Sequence, residues 1–593
     1  MIRYLKKEWI CLGLIGLATV AAYGNSFQVP FIYDDANQIV ESALIKNPAY
    51  IPRLFTSEYY KLSPKRFRPV TVLFYFIQYA FWRLNPWGYH LFKLLLHLVN
   101  VILLFCYLRL LNAGSAVSLL ASALFALHPA HVETITCVSF LDDPLMFFWF
   151  MLSLIAATRA ARSPRRPWAW TVLSLVFYLL ALASKEPALV LPLWLALQFL
   201  VERFPGVTRR RGFYLGFIAI SLAWVIVRFF LLEKEGWMMI STGKELGPVN
   251  AVAATYLHYL RVAVLPVNLC LDYVYPLSHG VFALPENFLF PLALAGAMII
   301  LSCVRRSRLL LLGWGWFILA LFPVANAINQ PRLAADRYLY LPLAGFSLAA
   351  AVLIIKTWGW FKNASARIIS VICLVLLFVC WGVLIRMENF LWSDPRLFWE
   401  DVLRTSPLSA TALNNLGSLH LSGRKPAVAE AEFRKALESR PPDEYRAVIL
   451  TNLGLALWER GMEEESVKTL LLAAGANPDY APAAYELGKI YVFQRKYDVA
   501  LDAFRRALEL TPYDHVIYDH LAGFHASQGQ WKEAEEYARK AVYLNPDFAI
   551  GYDHLGVIYA NRGRGEDARR CWRKALELDQ NLESARQNLS AAK

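Results

Sequence analysis

From the N-terminus to about Phe390 the chain is a succession of apolar runs separated by short basic or proline-containing links. A helix needs about 20 apolar residues to cross a hydrocarbon layer. Eleven runs are candidates: 9–24, 89–110, 115–130, 136–158, 168–183, 187–202, 212–232, 287–304, 309–325, 338–356 and 367–386. The pattern predicts a polytopic helical membrane half over residues 1–390 and a joining helix within 391–409, at 395–407 and ending in Pro407. From about Ala410 a different rule takes over.

Gly454, Gly488, Ala522 and Gly556 stand 34 residues apart, with Gly417 leading by 37, and each follows a leucine. Ala436, Ala473, Ala507, Ala541 and Ala575 lie 19 residues beyond them, and Pro478, Pro512 and Pro546 close successive units. Small residues at these points let two helices of a pair cross closely, and proline ends the pair. The spacing resembles tetratricopeptide repeats, about five of them within 410–593. The expected fold is therefore all-α, a membrane bundle followed by an α-solenoid.

Composition agrees. Of 593 residues, 57% are apolar and only 18% charged, against about 25% charged in soluble domains. That excludes a disordered, fibrous or small disulfide-stapled chain. The net charge of +14 would point to nucleic acid in a soluble protein. No zinc spacing, RNA-recognition motif or helix-turn-helix pattern accompanies it, and the positive-inside rule accounts for it. Six of the eight cysteines (Cys11, Cys106, Cys137, Cys303, Cys373 and Cys380) sit in or against apolar runs, leaving Cys270 and Cys571 far apart. No disulfide framework is legible.

Arg3, Lys6 and Lys7 precede the first run and set the N-terminus in the cytoplasm. Threading eleven spans from there puts Arg159, Arg162, Arg165 and Arg166 on the same side. Arg209 to Arg211, then Arg305, Arg306 and Arg308, then Lys356 and Lys362 join them. The odd count sends the repeats to the opposite side. Residues 1–24 also read as a signal peptide. Retention is expected, because the segment feeds directly into the most acidic loop.

Four non-cytoplasmic loops collect the polar residues. The first, 25–88, holds Tyr33-Asp34-Asp35 and then Lys65, Arg66, Arg68 and Pro69. The second is His128-Pro129-Ala130-His131-Val132-Glu133, with Asp142 and Asp143 shortly after it. Ser184-Lys185-Glu186-Pro187 is the third, and Arg332, Asp336 and Arg337 stand in the fourth. Ionisable groups at membrane depth are costly and commonly face a cavity or partner. One carboxylate of the Asp34–Asp35 pair could deprotonate a hydroxyl; a solvated turn or N-cap is the plainer alternative. His128, His131 and Glu133 are metal-ligating types, but Pro129 interrupts the helix that would align them, and metal dependence stays open. His90 and His97 lie on an apolar run and are expected to be satisfied by neighbouring helices. Arg68 and Arg337 stand at headgroup height, where a guanidinium fork matches phosphate oxygens or simply snorkels.

In combination, Phe31-Ile32-Tyr33-Asp34-Asp35, Arg68-Pro69-Val70-Thr71, Asn85-Pro86-Trp87-Gly88-Tyr89-His90, the His128–Glu133 stretch, Ser184-Lys185-Glu186, the Tyr256–Asp272 segment and Asp336-Arg337-Tyr338-Leu339-Tyr340-Leu341-Pro342 resemble a known family. It is that of the GT-C-type transmembrane O-mannosyltransferases with tetratricopeptide repeats, and their bacterial relatives. The similarity runs over nearly the whole chain. It implies sugar transfer from a polyprenyl-phosphate carrier to a hydroxyl on the non-cytoplasmic face, with inversion. Asp34 or Asp35 would be catalytic, and Arg68, Lys185, Arg337, His128, His131, Glu133 and Asp143 would surround the donor. One departure is Leu141, where relatives often have arginine two residues before the aspartate matching Asp143.

Stacked repeats offer a concave surface to extended peptides. Asn414, Asn452, Asp519 and Asp553 are the expected acceptor contacts, and Tyr518 and Tyr552 read as packing residues. No cofactor is assigned with certainty, and a divalent cation is compatible. The repeat domain is shorter than in animal members, which favours a bacterial inner-membrane protein with periplasmic repeats; an endoplasmic reticulum membrane with lumenal repeats shares the topology. Two rivals are carried: a glycan or lipid acceptor with repeats recruiting a partner, and a non-enzymatic membrane-anchored scaffold.

Overall fold

The computed structural model describes residues 2–56, 67–162, 167–202, 211–232, 248–273, 307–325 and 334–592. The expected span 287–304, together with Lys65, Arg66, Arg165, Arg166, Arg209, Arg210, Cys303, Arg305, Arg306 and Arg332, lies outside them. Every regular element among the described residues is a helix.

The chain divides into two units. Residues 1–40 and 67–407 form the first, and 41–66 and 408–593 the second. The helix Pro395–Thr405 belongs to the first unit, with Phe398 packed on Trp392 at a ring separation of 4.3 Å. The middle of the loop 25–88, residues 41–66, belongs to the second, a division the hydrophobic pattern does not reveal.

Among the described residues of the first unit five helices are long and apolar enough to cross a membrane: Lys7–Gln28, Pro86–Leu110, Val138–Arg162, Asp336–Trp358 and Ala364–Trp392. The pair Ser115–Ala126 and Pro129–Thr136, bent by 53°, makes up to six. Shorter apolar helices are Pro69–Trp82, Pro167–Leu182, Tyr214–Arg228 and Arg308–Val324. Eleven full-length spans are thus not what the described residues display. Helix Ser115–Ala126 ends before Pro129, which opens the turn Pro129–His131. Two helices, Pro69–Trp82 and Pro248–Val264, lie where no span was expected.

Close crossings rest on small residues, as in lipid where packing rather than hydrophobicity joins helices. Helix Arg308–Leu321 meets Tyr340–Trp358 at Gly313, Gly345 and Ala349; a Cβ on Gly345 would fall 2.7 Å from the Gly313 carbonyl oxygen. Buried polar groups bond across helices. Trp194 donates to the Tyr107 hydroxyl (3.0 Å), Tyr107 to Gln198 (2.9 Å), and Gln198 to Thr158 (3.1 Å). His97 bridges the Tyr340 hydroxyl and the Ala126 carbonyl, and His90 contacts the Val29 carbonyl. Helix Ala364–Trp392 presents Ile368, Val371, Val375, Leu376 and Val379 outward, the surface lipid would cover. No disulfide forms among the described cysteines.

In the second unit five helix pairs, from Ala410–Ser422 with Pro426–Glu438 to Ala549–Asn561 with Gly565–Leu578, are followed by Glu583–Ala591. The periodic small residues do what their spacing implies. A Cβ on Gly417, Gly454, Gly488 or Gly556 would come within 2.5–2.7 Å of Phe433, Leu470, Phe504 or Trp572. Ala436, Ala473, Ala507, Ala541 and Ala575 are fully buried. Glu430 clasps Arg434 and Arg460, and Glu535 clasps Arg562 and Arg564, tying one pair to the next. The described part of the inserted segment packs by Leu44, Ile45, Tyr50 and Leu54, all buried. Asn47 donates to the Tyr543 carbonyl (2.7 Å) and caps Ala49 (3.1 Å), while the Tyr50 ring meets Tyr513 edge-on at 6.1 Å.

Candidate active site

The two adjacent aspartates part ways. Tyr33 adopts a left-handed backbone (φ 60°), costly for a residue with a Cβ, and this turn directs the two carboxylates differently. Asp35 is completely buried. One of its oxygens accepts from the Ser139 amide (2.6 Å) and the Cys137 thiol (3.4 Å), the other from the Ile32 (3.2 Å) and Val138 (3.3 Å) amides. Burial raises its pKa and the Ser139 and Ile32 amides pull it back. Lys93, buried on helix Pro86–Leu110, donates to the Cys137 carbonyl and steadies the same 137–139 turn. Four hydrogen bonds thus hold Asp35 to the 137–139 turn and to Ile32. Asp34 is partly exposed, and one of its oxygens accepts from Gln38 at 3.3 Å.

Phe140 joins this turn to the cations. The Tyr33 ring lies 6.2 Å from it, and the Arg337 guanidinium sits 4.5 Å over its face. Arg337 also pairs with Glu133 through its guanidinium, donates its backbone amide to the same carboxylate (2.9 Å), and stacks 4.9 Å over Tyr338. Lys185 approaches that Tyr338 ring at 5.7 Å. Its ammonium pairs with Asp143 at 2.5 Å and Asp142 at 3.4 Å. Arg68, which precedes helix Pro69–Trp82, pairs with Asp142 and forks onto both oxygens of Glu186 (3.0 and 3.4 Å), and Arg228 shares Glu186 Oε1 with it. Desolvation would raise the Glu186 carboxyl, but Arg68 and Arg228 overcome it and hold it well below the usual range.

Four cations, Arg68, Lys185, Arg228 and Arg337, therefore pair with four carboxylates, Asp142, Asp143, Glu186 and Glu133; ion pairs chain the first three cations together, and the Tyr338 ring links the Arg337–Glu133 pair to Lys185. Its outer end is the most accessible. Arg68 and Arg228 side chains are each 21% exposed and Glu186 24%, against 5% for Lys185. An incoming phosphate can take over the guanidinium donors by displacing Glu186.

The histidines of the second loop lie apart from this cluster. His128 bonds the Ala263 carbonyl (3.0 Å) and accepts from the Ala130 amide, and His131 lies between the Phe125 and Tyr340 rings. Among the described residues no three His, Cys, Asp or Glu side chains converge as a metal ion would require. Asp336 accepts from the Tyr273 hydroxyl (2.9 Å) and the Cys270 amide (3.0 Å), fastening the segment after helix Pro248–Val264.

In the repeats the four expected acceptor contacts turn toward neighbouring repeats. Asn452 donates to Asn414 (2.9 Å), His554 meets Asp519 (2.9 Å), and Asp553 accepts from Ser584 (2.5 Å) and Asn588 (2.9 Å). The partners of Asp519 and Asp553, His554 and Asn588, stand 35 residues on, one more than the repeat. Tyr485 against His520, at 5.3 Å, is an aromatic rung of the same ladder. Arg228 and Lys93 are the members sequence reasoning missed; each is a single charge inside an otherwise apolar run, the one signal available.

A tetratricopeptide-repeat family model matches residues 396–444 and 485–549, and a second matches 549–582. The chain is 24% identical to human protein O-mannosyl-transferase TMTC3 over 79% of its length and 55% of that protein. Human protein O-mannosyl-transferase TMTC4 matches at 25% identity over 68% of the chain and 63% of that protein, and the Caenorhabditis elegans protein O-mannosyl-transferase F38B6.6 at 23% over 69% and 60%. The chain spans little more than half the length of the first of these relatives. Among solved structures, a MamA protein aligns with 29% of the chain and 93% of its own (23% identity, TM-score 0.25).

Proposed function

We propose that this chain, a homologue of the protein O-mannosyl-transferases, is an integral-membrane glycosyltransferase. It moves a sugar from a polyprenyl-phosphate donor to a serine or threonine hydroxyl of a protein docked on its repeats. The membrane half is read as a GT-C-type bundle of eleven spans, short and broken ones included, with the reaction on the non-cytoplasmic face. Bacterial inner membrane with periplasmic repeats is the favoured setting. The chain comprises a membrane domain (1–390), a joining helix (391–409) and repeats (410–593), with residues 41–56 packing on the repeats.

One observation carries the reading: a partly exposed carboxylate, Asp34, stands on the turn that Phe140 links to a paired cation cluster ending in accessible arginines. In the proposed reaction the donor phosphate displaces Glu186 and takes the Arg68 and Arg228 forks. Arg337 and Lys185 supply the surrounding positive field. Asp34 accepts the acceptor's hydroxyl proton as its oxygen bonds to the anomeric carbon. The bond from that carbon to the phosphate oxygen breaks on the opposite face, with inversion, and polyprenyl phosphate leaves as an anion. Fixed cations acting on charge that develops during reaction are a large catalytic term. Asp35 keeps the loop in place, Asp143 orients Lys185, and Glu133 orients Arg337. His128 and His131 support the donor side only through packing.

Donor binding tests this directly. A polyprenyl-phosphate sugar should bind Arg68→Gln or Arg228→Gln roughly tenfold more weakly than the parent, the loss of one charge-assisted fork. Unchanged binding in both refutes the phosphate assignment.

A further inference from the structure

Beside the inserted segment the repeat unit carries a groove of about 540 Å³. Arg539 and Tyr543 come from helix Trp531–Leu544, Tyr552 and Tyr559 from Ala549–Asn561, and Arg570 from Gly565–Leu578. Asn47 of the inserted segment closes one edge, held there by its bond to the Tyr543 carbonyl. The volume is that of a site for a ligand-sized segment, and its lining sets three tyrosines beside Arg539, Arg570 and one carboxylate, Asp567; tyrosine and arginine are the residues enriched in binding hot spots.

The charge balance selects the occupant. Four arginines, Arg539, Arg562, Arg564 and Arg570, share two carboxylates, Glu535 and Asp567. Glu535 is already engaged by Arg562 and Arg564, so Arg539 reaches it only at 3.9 Å; Asp567 is held by Arg564 at 2.6 Å, so Arg570 stands at 3.5 Å. The Arg539 and Arg570 side chains are 68% and 81% exposed. Two guanidinium groups with donors to spare thus flank tyrosine faces suited to peptide backbone and apolar side chains. The polar groups of the ladder, by contrast, are occupied by one another.

We propose that this groove is the docking site for an extended acidic peptide segment of the acceptor protein. This rests on the transferase reading above. Asn47 belongs to the segment inserted in the chain between Asp35 and Arg68.

The test uses the full chain in nanodiscs and three fluorescein-labelled probes: short peptides of alternating Ser and Glu, Ser and Gln, and Ser and Lys. The Ser-Glu peptide should bind best, and the double change Arg539→Glu/Arg570→Glu should weaken it roughly tenfold or more and favour Ser-Lys. Equal binding of all three peptides, or unchanged Ser-Glu binding in the double variant, overturns the proposal. So does binding of anionic phospholipid vesicles with no peptide binding. Peptide capture by a parent protein that transfers no sugar would leave the groove standing and sink the transferase reading. Sugar transfer to protein acceptors at the parental rate by the double variant would sink the groove alone.

Discussion

Replacing Asp35 with alanine separates a strut from a catalyst. Its carboxylate accepts from the buried amides of Ile32, Val138 and Ser139. Each buried donor left without an acceptor costs about 1–3 kcal/mol. Water entering the vacated space recovers part of that, so the expected loss is roughly 3–5 kcal/mol. That is a large share of a typical folding free energy of about 5–15 kcal/mol. In detergent it should lower the melting temperature by roughly 5–10 °C and speed amide exchange at Val138 and Ser139. Asp34→Asn should do neither, yet cost about 10²–10⁴-fold in turnover as the lost general base. The assays are thermal unfolding, hydrogen exchange and sugar transfer on the same preparations. A stable Asp35→Ala protein with unchanged exchange at 138–139 would refute the strut, and Asp34→Asn with parental turnover would refute the base.

Three further outcomes follow from the same geometry. Arg337→Ala leaves Glu133 buried without its cation and should destabilise by about 3–5 kcal/mol; Arg337→Met with Glu133→Gln should recover most of the stability and none of the transfer. Asp519 raises the His554 pKa, chiefly by hydrogen bonding. The pair's contribution is therefore full below the unfolded histidine value of about 6.5 and lost as pH rises through the higher folded value. Denaturant midpoints of the parent should fall across that window relative to His554→Gln. Gly345→Ala puts a Cβ 2.6 Å from that of Trp316 and against backbone at 2.7 Å, and should cost about 1–3 kcal/mol. Gly13→Ala, with nothing within 4 Å, is the control in the same melting experiment.

The repeats were the most legible part, because a period of 34 fixes which small residues meet which helices. The same period does not say that Asp519 reaches one residue past its equivalent, to His554; that follows from how successive pairs stack. The charged loops were legible as a set, since ionisable groups beside apolar runs stand out. Which aspartate of the Asp34–Asp35 pair is held by backbone was not, because it depends on the positive φ at Tyr33 and on a turn a hundred residues away. Arg228 was hidden by averaging over an apolar run. The short helix Pro69–Trp82 was hidden because a span-length criterion passes over 14 residues. Residues 41–56 carry no local sign that partners such as Tyr513 and Tyr543 come from the repeats.

The central claim is sugar transfer, and the most direct measurement is turnover by the purified full chain across a panel of polyprenyl-phosphate sugars with a protein acceptor. Transfer from at least one donor is expected, abolished by Asp34→Asn while that donor is still bound. Neither binding nor turnover across the panel would contradict it and favour a membrane-anchored scaffold.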